Sequence, residues 1–198
     1  MKKYELTTNT KMLFGRKLFQ IKALVSFCDV TAGDLGGYIE KEENLSHDGD
    51  AWVYDRALIF GDAWVFGDAQ VYGDALVYGD AQVYGNAQVY GNARVSGDAR
   101  VYGDAQVYGD ALVSGDALVS GNADYICFKG FGSVNRNTTM FRTKNGDVYV
   151  CCGCFAGNLK EFSEKVKETH GSSKYAKEYL ACVEAAKIHF EIGEKDDK

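Results

Sequence analysis

The chain has 198 residues, 23 glycines, 13 tyrosines, no proline and a net charge of −6. An acidic balance argues against a phosphate-binding surface, because nucleic-acid binders concentrate Lys and Arg. No run approaches the ~20 apolar residues of a membrane span, and the opening MKKYELTTNTK lacks the apolar stretch of a secretory signal.

Three of the six cysteines crowd at Cys151, Cys152 and Cys154, which is not the layout of a secreted disulfide framework. The expectation is a cytoplasmic protein with reduced thiols that binds neither membrane nor nucleic acid directly. Its 46% hydrophobic share is ample for a core.

The first 36 residues predict a hairpin cap. In LFGRKLFQIKALVSF, Gly15-Arg16 separates Met12-Leu13-Phe14 from a run alternating Phe19, Ile21, Ala23 and Val25. In GDLGGYIEKEENLS, Ile39 and Leu45 fall on a six-residue grid that reaches Ala51, which places His47 at an inward, valine-like position.

From Gly49 to Tyr125 the chain repeats Gly-Asp-Ala-x-Val-Tyr. Ala recurs every six residues from Ala51 to Ala123, with Val, or Ile at 59 and Tyr at 125, two places later. Residues two apart on a strand share a side, so Ala and Val face inward while x and Tyr face outward. Gly followed by Asp or Asn turns the corner, both being tolerant of positive φ. Three such phrases close a triangular coil of 18 residues, and the next coil stacks on it with Val over Val. Asp55-Arg56, where Gly-Asp is expected, reads as an irregular corner near the first cap.

Stacking every eighteenth residue sorts the exterior into three walls. The first presents Trp52, Gln70, Gln88 and Gln106 beside Tyr54, Tyr72, Tyr90 and Tyr108. The second presents Leu58, Leu76, Arg94 and Leu112 beside Phe60, Tyr78, Ser96 and Ser114. The third presents Trp64, Gln82, Arg100 and Leu118 beside Phe66, Tyr84, Tyr102 and Ser120. Stacked aromatics favour strands, but columns this long also exceed the apolar surface a soluble monomer usually shows. Trp52, Tyr54, Tyr72, Tyr90, Tyr108, Trp64, Tyr84 and Tyr102 are therefore the candidate binding surface. The corners form an acidic ladder of Asp62, Asp80, Asp98 and Asp116, for which three readings stand: turn capping, weak calcium binding, or a face imitating a DNA backbone.

After Tyr125, ICFKG and TTMFRT-KNG-DVYVCC predict strands with a tight turn at Asn145-Gly146. Asn158 and Glu161 make a capping pair for a helix carrying Leu159, Phe162 and Val166, and Gly171 stops it. Ser173 opens a second helix to about Ile192, with Tyr175, Tyr179, Cys182, Val183 and Ala186 toward the body. The predicted divisions are a hairpin cap (1–36), a β-helix (37–125), a strand-hairpin and two-helix cap (126–193) and a disordered tail (194–198).

The phrase, thirteen times in register, resembles the left-handed β-helix of hexapeptide-repeat proteins. The resemblance implies the hand of the coil, against the general right-handed preference of parallel crossovers, and a homo-oligomer, dimer or trimer. It implies a mainly β fold: a left-handed parallel β-helix of three hexads per coil with an N-terminal β-hairpin cap and a small C-terminal α/β cap. The whole layout, with LGGYIEKEENLS, GDAxVYG and the CGCF-to-helix segment, also resembles poorly characterised phage and prophage proteins. That likeness implies a viral gene and a host partner, for instance a host defence system that it inhibits.

The best-known hexapeptide-repeat proteins are acetyl-CoA-dependent acyltransferases that use a loop His as general base. Here the candidates are His47 and His170; with His189 they are the only histidines, and none lies in the regular repeats. Cys152 and Cys154 with His170 are the candidate zinc ligands, set against plain packed thiols. A nucleophilic Cys with a His base is the remaining alternative. The leading expectation is a binding scaffold that works through its aromatic walls.

Overall fold

The computed structural model describes residues 1–192, so the expected tail at 194–198 lies outside the described residues. Its centre is a parallel β-solenoid with a hydrophobic end piece at each end. β1 (Tyr4–Leu13), β2 (Arg16–Ala23) and β3 (Leu35–Ile39) precede twelve two-residue strands, β4 (Trp52–Val53) to β15 (Leu118–Val119). Each short strand is one x-Val pair, and partners lie eighteen residues apart: Gln70, Gln88 and Gln106 align, as do Val71, Val89 and Val107. Every Ala and Val of the grid from Ala51 to Val119 is essentially fully buried. Three phrases per coil follow directly, because only one strand in three sits on the same wall.

At the corners the positive φ falls on glycine alone. The following Asp or Asn has an ordinary backbone, and its amide donates to the next layer, as Asn92 does to the Gly109 carbonyl at 2.7 Å. Of the two corner residues, both tolerant of positive φ, glycine is the one that uses it. Asp55 is the exception among the solenoid corners: at φ 52° it takes the glycine role, and its carboxylate accepts the Gly73 N–H at 3.2 Å. Arg56 beside it pairs with Asp74 at 2.7 Å.

The N-terminal hairpin turns at Phe14-Gly15, one residue earlier than expected, and pairs through β2 with β3. β3 joins the second wall in parallel, so the hairpin extends that wall as well as closing the first coil. Here the six-residue grid misleads. Ile39 aligns with Ile59, and Leu45 with Val65, so both occupy valine slots twenty residues from their partners, whereas Ala51 keeps the regular alanine slot. Two extra residues are absorbed in the corner between Leu45 and Ala51. That shift moves His47 off the inward position: it is part-exposed, stacks on Tyr4 (ring centroids 4.3 Å apart), and its Nδ1 accepts the Lys3 N–H at 3.2 Å.

A solenoid end exposes backbone groups that a missing coil would have paired, and side chains replace that coil. At the first coil the Lys3 ammonium donates to the carbonyls of Gly49 (3.0 Å) and Ala51 (2.8 Å). The fully buried Asn44 amide donates to Gly61 (3.0 Å) and Ala63 (2.8 Å). At the last coil Asn122 Oδ1 accepts from Gln106 N–H, and Thr139 Oγ1 accepts from Leu112 N–H.

The regular grid ends at Val119 rather than at Tyr125. Ala123 is exposed in a short turn over Asn122–Asp124, and Tyr125 opens a new sheet. That sheet is antiparallel, with β16 (Tyr125–Phe131), β17 (Arg136–Arg142), β18 (Val148–Cys152) and β19 (Phe155–Asn158) in order, the last of which the sequence reading missed. Alternation along the strands divides it between two cores. Phe141 and Cys151 face the solenoid; Met140, Val150 and Cys152 face α1 (Leu159–His170) and α2 (Lys174–His189). The Asn158–Glu161 capping box is present, with Asn158 Oδ1 accepting the Glu161 N–H at 2.9 Å. α2 ends at His189, three residues short of the expected Ile192, and Tyr175 is only half-buried where Tyr179, Cys182, Val183 and Ala186 are buried.

Candidate functional site

The three walls carry similar side chains but meet different surroundings. On the first, Trp52 is buried beneath Tyr4 and Phe27, whose rings meet it edge-on at 6.1 and 5.4 Å. The Tyr54 hydroxyl donates to Asp29 at 2.7 Å, and burial pushes its pKa up. Trp52 therefore leaves the candidate surface, and Tyr54 is half-covered at its edge. The outward register was right for both; the segment around Phe27–Val30 folds over them. Beyond that cover, Tyr72 stacks on Tyr90 at 4.7 Å and Tyr90 on Tyr108 at 5.3 Å, with Tyr108 51% exposed.

The second wall is covered at both ends. Leu18 of the hairpin buries itself against Leu58 and Phe60, with Leu13, Leu76 and Tyr78 packed around them. Farther along, the Ser114 hydroxyl meets Cys151 Sγ at 3.3 Å. The third wall is open. Trp64, Phe66, Tyr84 and Tyr102 form one stack with centroid spacings of 3.9, 4.7 and 5.2 Å, and among the described residues none of the four joins a hydrophobic cluster with either end piece. Rings so stacked spend their faces on one another. What they offer a partner is a row of edges and hydroxyls beside Gln82 and Arg100.

The corner columns solve like-charge repulsion in two ways. In two of them an Asn interrupts the acids: Asn86 Nδ2 donates to Asp104 at 3.0 Å, and Asn92 Nδ2 to Asp110 at 2.9 Å. The uninterrupted ladder is flanked instead, Asp62 by Lys41 at 2.6 Å and Asp116 by Lys144 at 3.3 Å. Asp80 and Asp98 between them have no ion-pair partner among the described residues. Nor do any three His, Cys, Asp or Glu side chains among the described residues group as a metal set.

Cys152, Cys154 and His170 line one cavity of about 350 Å³ in the C-terminal cap without grouping as a metal set. Cys152 lies at its inner side, where it accepts a hydrogen bond from Thr138 at 3.2 Å; Cys154 is exposed on the turn. The His170 ring stacks on Tyr179 at 5.7 Å, and burial, reinforced by Cys152, raises the Tyr179 phenol to about 12. Sequence reasoning missed Lys3, Asn44 and Arg136. Lys3 and Asn44 act through partners remote in the chain, Arg136 is placed by Gly153 seventeen residues on, and no periodic pattern announces them.

Among the described residues no helix is long and apolar enough to cross a membrane. The family model described as a YdcK beta solenoid repeat matches residues 69–85, 87–103 and 105–121, together about a quarter of the chain. A protein of Escherichia coli (strain K12) described as the uncharacterized acetyltransferase YdcK is 47% identical over 45 residues. That match spans 22% of this chain and 14% of the relative's length. The chain is thus similar to these proteins in its solenoid repeats.

Proposed function

We propose that this is a non-catalytic binding protein whose open aromatic walls hold a protein surface, a second copy of itself first and a host protein second. The observation that supports it most is the contrast between the second and third walls. The hairpin's Leu18 and Leu13 settle on the aromatic and aliphatic column around Phe60 and Tyr78, so the chain already docks apolar side chains on one such column. The stack from Trp64 to Tyr102 offers a second column on which no hydrophobic cluster among the described residues settles. Tyr is also enriched where proteins meet. The phage-like layout favours a host protein as the foreign partner, and Asp80 and Asp98 would then supply an acidic contact.

Light scattering tests the reading, comparing the intact chain with Tyr84→Ser/Tyr102→Ser and with Tyr72→Ser/Tyr90→Ser. Self-association that falls with either pair, while the urea midpoint shifts little, supports it. A monomer at every concentration, whose capture of host proteins is the same with and without those tyrosines, overturns it.

A second reading, acyl transfer from acetyl-CoA, draws support from the description of the E. coli relative as an uncharacterized acetyltransferase. Its candidate bases sit apart: His47 in the N-terminal cap against Tyr4, and His170 at the end of α1 in the opposite cap. Micromolar retention of acetyl-CoA, abolished by His47→Ala or His170→Ala, would favour it over binding alone.

A further inference from the structure

The cavity of about 350 Å³ in the C-terminal cap takes no part in the binding reading above, and its lining is chemically lopsided. Its walls are mostly apolar, built by Val134, Phe155, Phe162 and Val166, with Tyr179 at the inner side. Its charged and titratable nitrogen groups are Arg136, Lys165 and His170, and among the described residues no carboxylate lines it. In a chain of net charge −6 that is a local reversal of sign.

The nearby acids are otherwise engaged. Glu168 pairs with Lys165 at 2.9 Å, while Glu178 accepts the Gly132 N–H at 3.0 Å and faces Lys174 at 3.8 Å. Arg136 has no carboxylate within ion-pair distance among the described residues. Yet its position is specified: the guanidinium lies across Gly153, where a Cβ would collide with it. Gly153 sits in the turn between β18 and β19 with φ 62°, so both its missing side chain and its backbone set the place of the cation. An unpaired guanidinium held at the mouth of an apolar pocket is the complement of an anion with an apolar body.

We propose that this cavity binds a small organic carboxylate, its apolar body among Phe155, Phe162 and Val166 and its carboxylate on Arg136. The volume is at the small end of ligand pockets, which suits an acid of about ten non-hydrogen atoms. At the pocket mouth the lower local dielectric strengthens the attraction between the carboxylate and Arg136, and this opposes the cost of desolvating the carboxylate.

The test is calorimetric titration of the full chain with 4-phenylbutyrate, with its neutral analogue 4-phenylbutyramide and with acetate. The expected order is phenylbutyrate well ahead of both controls, each at least tenfold weaker. Arg136→Gln should weaken phenylbutyrate at least tenfold, and Arg136→Lys should restore part of the loss. Arg136 is exposed, so the substitution leaves the fold in place, which the urea midpoint verifies. A second readout is alkylation of Cys154, expected to slow in phenylbutyrate while the exposed Cys28 in the other cap serves as internal control. Equal binding of acid and amide, an Arg136→Gln variant that binds as the parent does, or no binding and no protection at millimolar ligand would each overturn the proposal.

Discussion

Replacing Gly91 and Gly115 by alanine, one at a time, separates two reasons for a glycine at every corner. Both have positive φ, 71° and 63°, so alanine is strained at either site. At Gly115 an added Cβ meets nothing within 4 Å, whereas at Gly91 it lies 3.0 Å from the Gly109 nitrogen and 3.2 Å from its oxygen. Left-handed backbone costs a non-glycine residue about 1–2 kcal/mol, and the stiffer unfolded chain returns about 0.4–1 kcal/mol of it. Gly115→Ala should therefore cost about 1 kcal/mol. Gly91→Ala carries the same terms plus a forced separation of two layers, a packing strain of about 1–3 kcal/mol, for a total of about 2–4 kcal/mol. Gly91→Asn should fall between them, because Asp55 shows how a side-chain oxygen at such a corner accepts the amide of the layer beyond. Urea unfolding midpoints, read with unchanged slopes, give the three values. Equal losses for Gly91→Ala and Gly115→Ala would refute the reasoning, since coil-to-coil approach would then not limit the corner.

Other perturbations probe the ends and the acidic ladder. Asp98→Asn should stabilise by about 0.5–1 kcal/mol at low salt, through relief of repulsion and an amide able to donate to Asp116 as Asn92 does to Asp110; a gain that persists undiminished in 1 M salt would contradict this origin. Asn44→Ala strips one buried and one part-buried carbonyl of their donor and should cost about 2–4 kcal/mol in chemical denaturation, against no loss if water fills the gap. Burial lowers the Lys3 pKa from 10.5 to about 8. Between those values the unfolded chain binds more protons, so this group's contribution to stability rises with pH, by up to about 3 kcal/mol. Half-buried Cys127 and buried Cys151 and Cys182, whose pKa values burial raises, act in the opposite sense. The decisive quantity is therefore the stability of the parent minus that of Lys3→Met, which should grow between pH 7 and 9.5; a pH-independent difference would exclude the linkage.

How far the site was legible depended on whether a residue's fate was settled by its own period. Tyr72, Tyr90, Tyr84 and Tyr102 could be placed on shared columns because a spacing of eighteen leaves one geometry. Trp52 has the same period and the same outward register, yet it is buried, because residues 25 positions earlier fold across it. His47 failed differently. Counting by six carried it inward, but two residues inserted in one corner moved Ile39 and Leu45 to valine slots and left the histidine at the rim. The cap helices announced themselves through Asn158, Glu161 and Gly171, whereas β19, four residues ending in that same cap, gave no alternation long enough to see.

By itself the amino-acid order determined the coil: Ala and Val two apart, glycine at each bend, three bends to a lap. Each of those is a local constraint repeated until the layers have only one way to stack. Tertiary structure alone decided which walls are covered and which are bare, which lysine and asparagine stand in for the missing coils, and that Arg136 lies over Gly153 beside an apolar cavity. Those outcomes depend on contacts between segments far apart in the chain, where burial and unpaired backbone groups, not periodicity, set the energy.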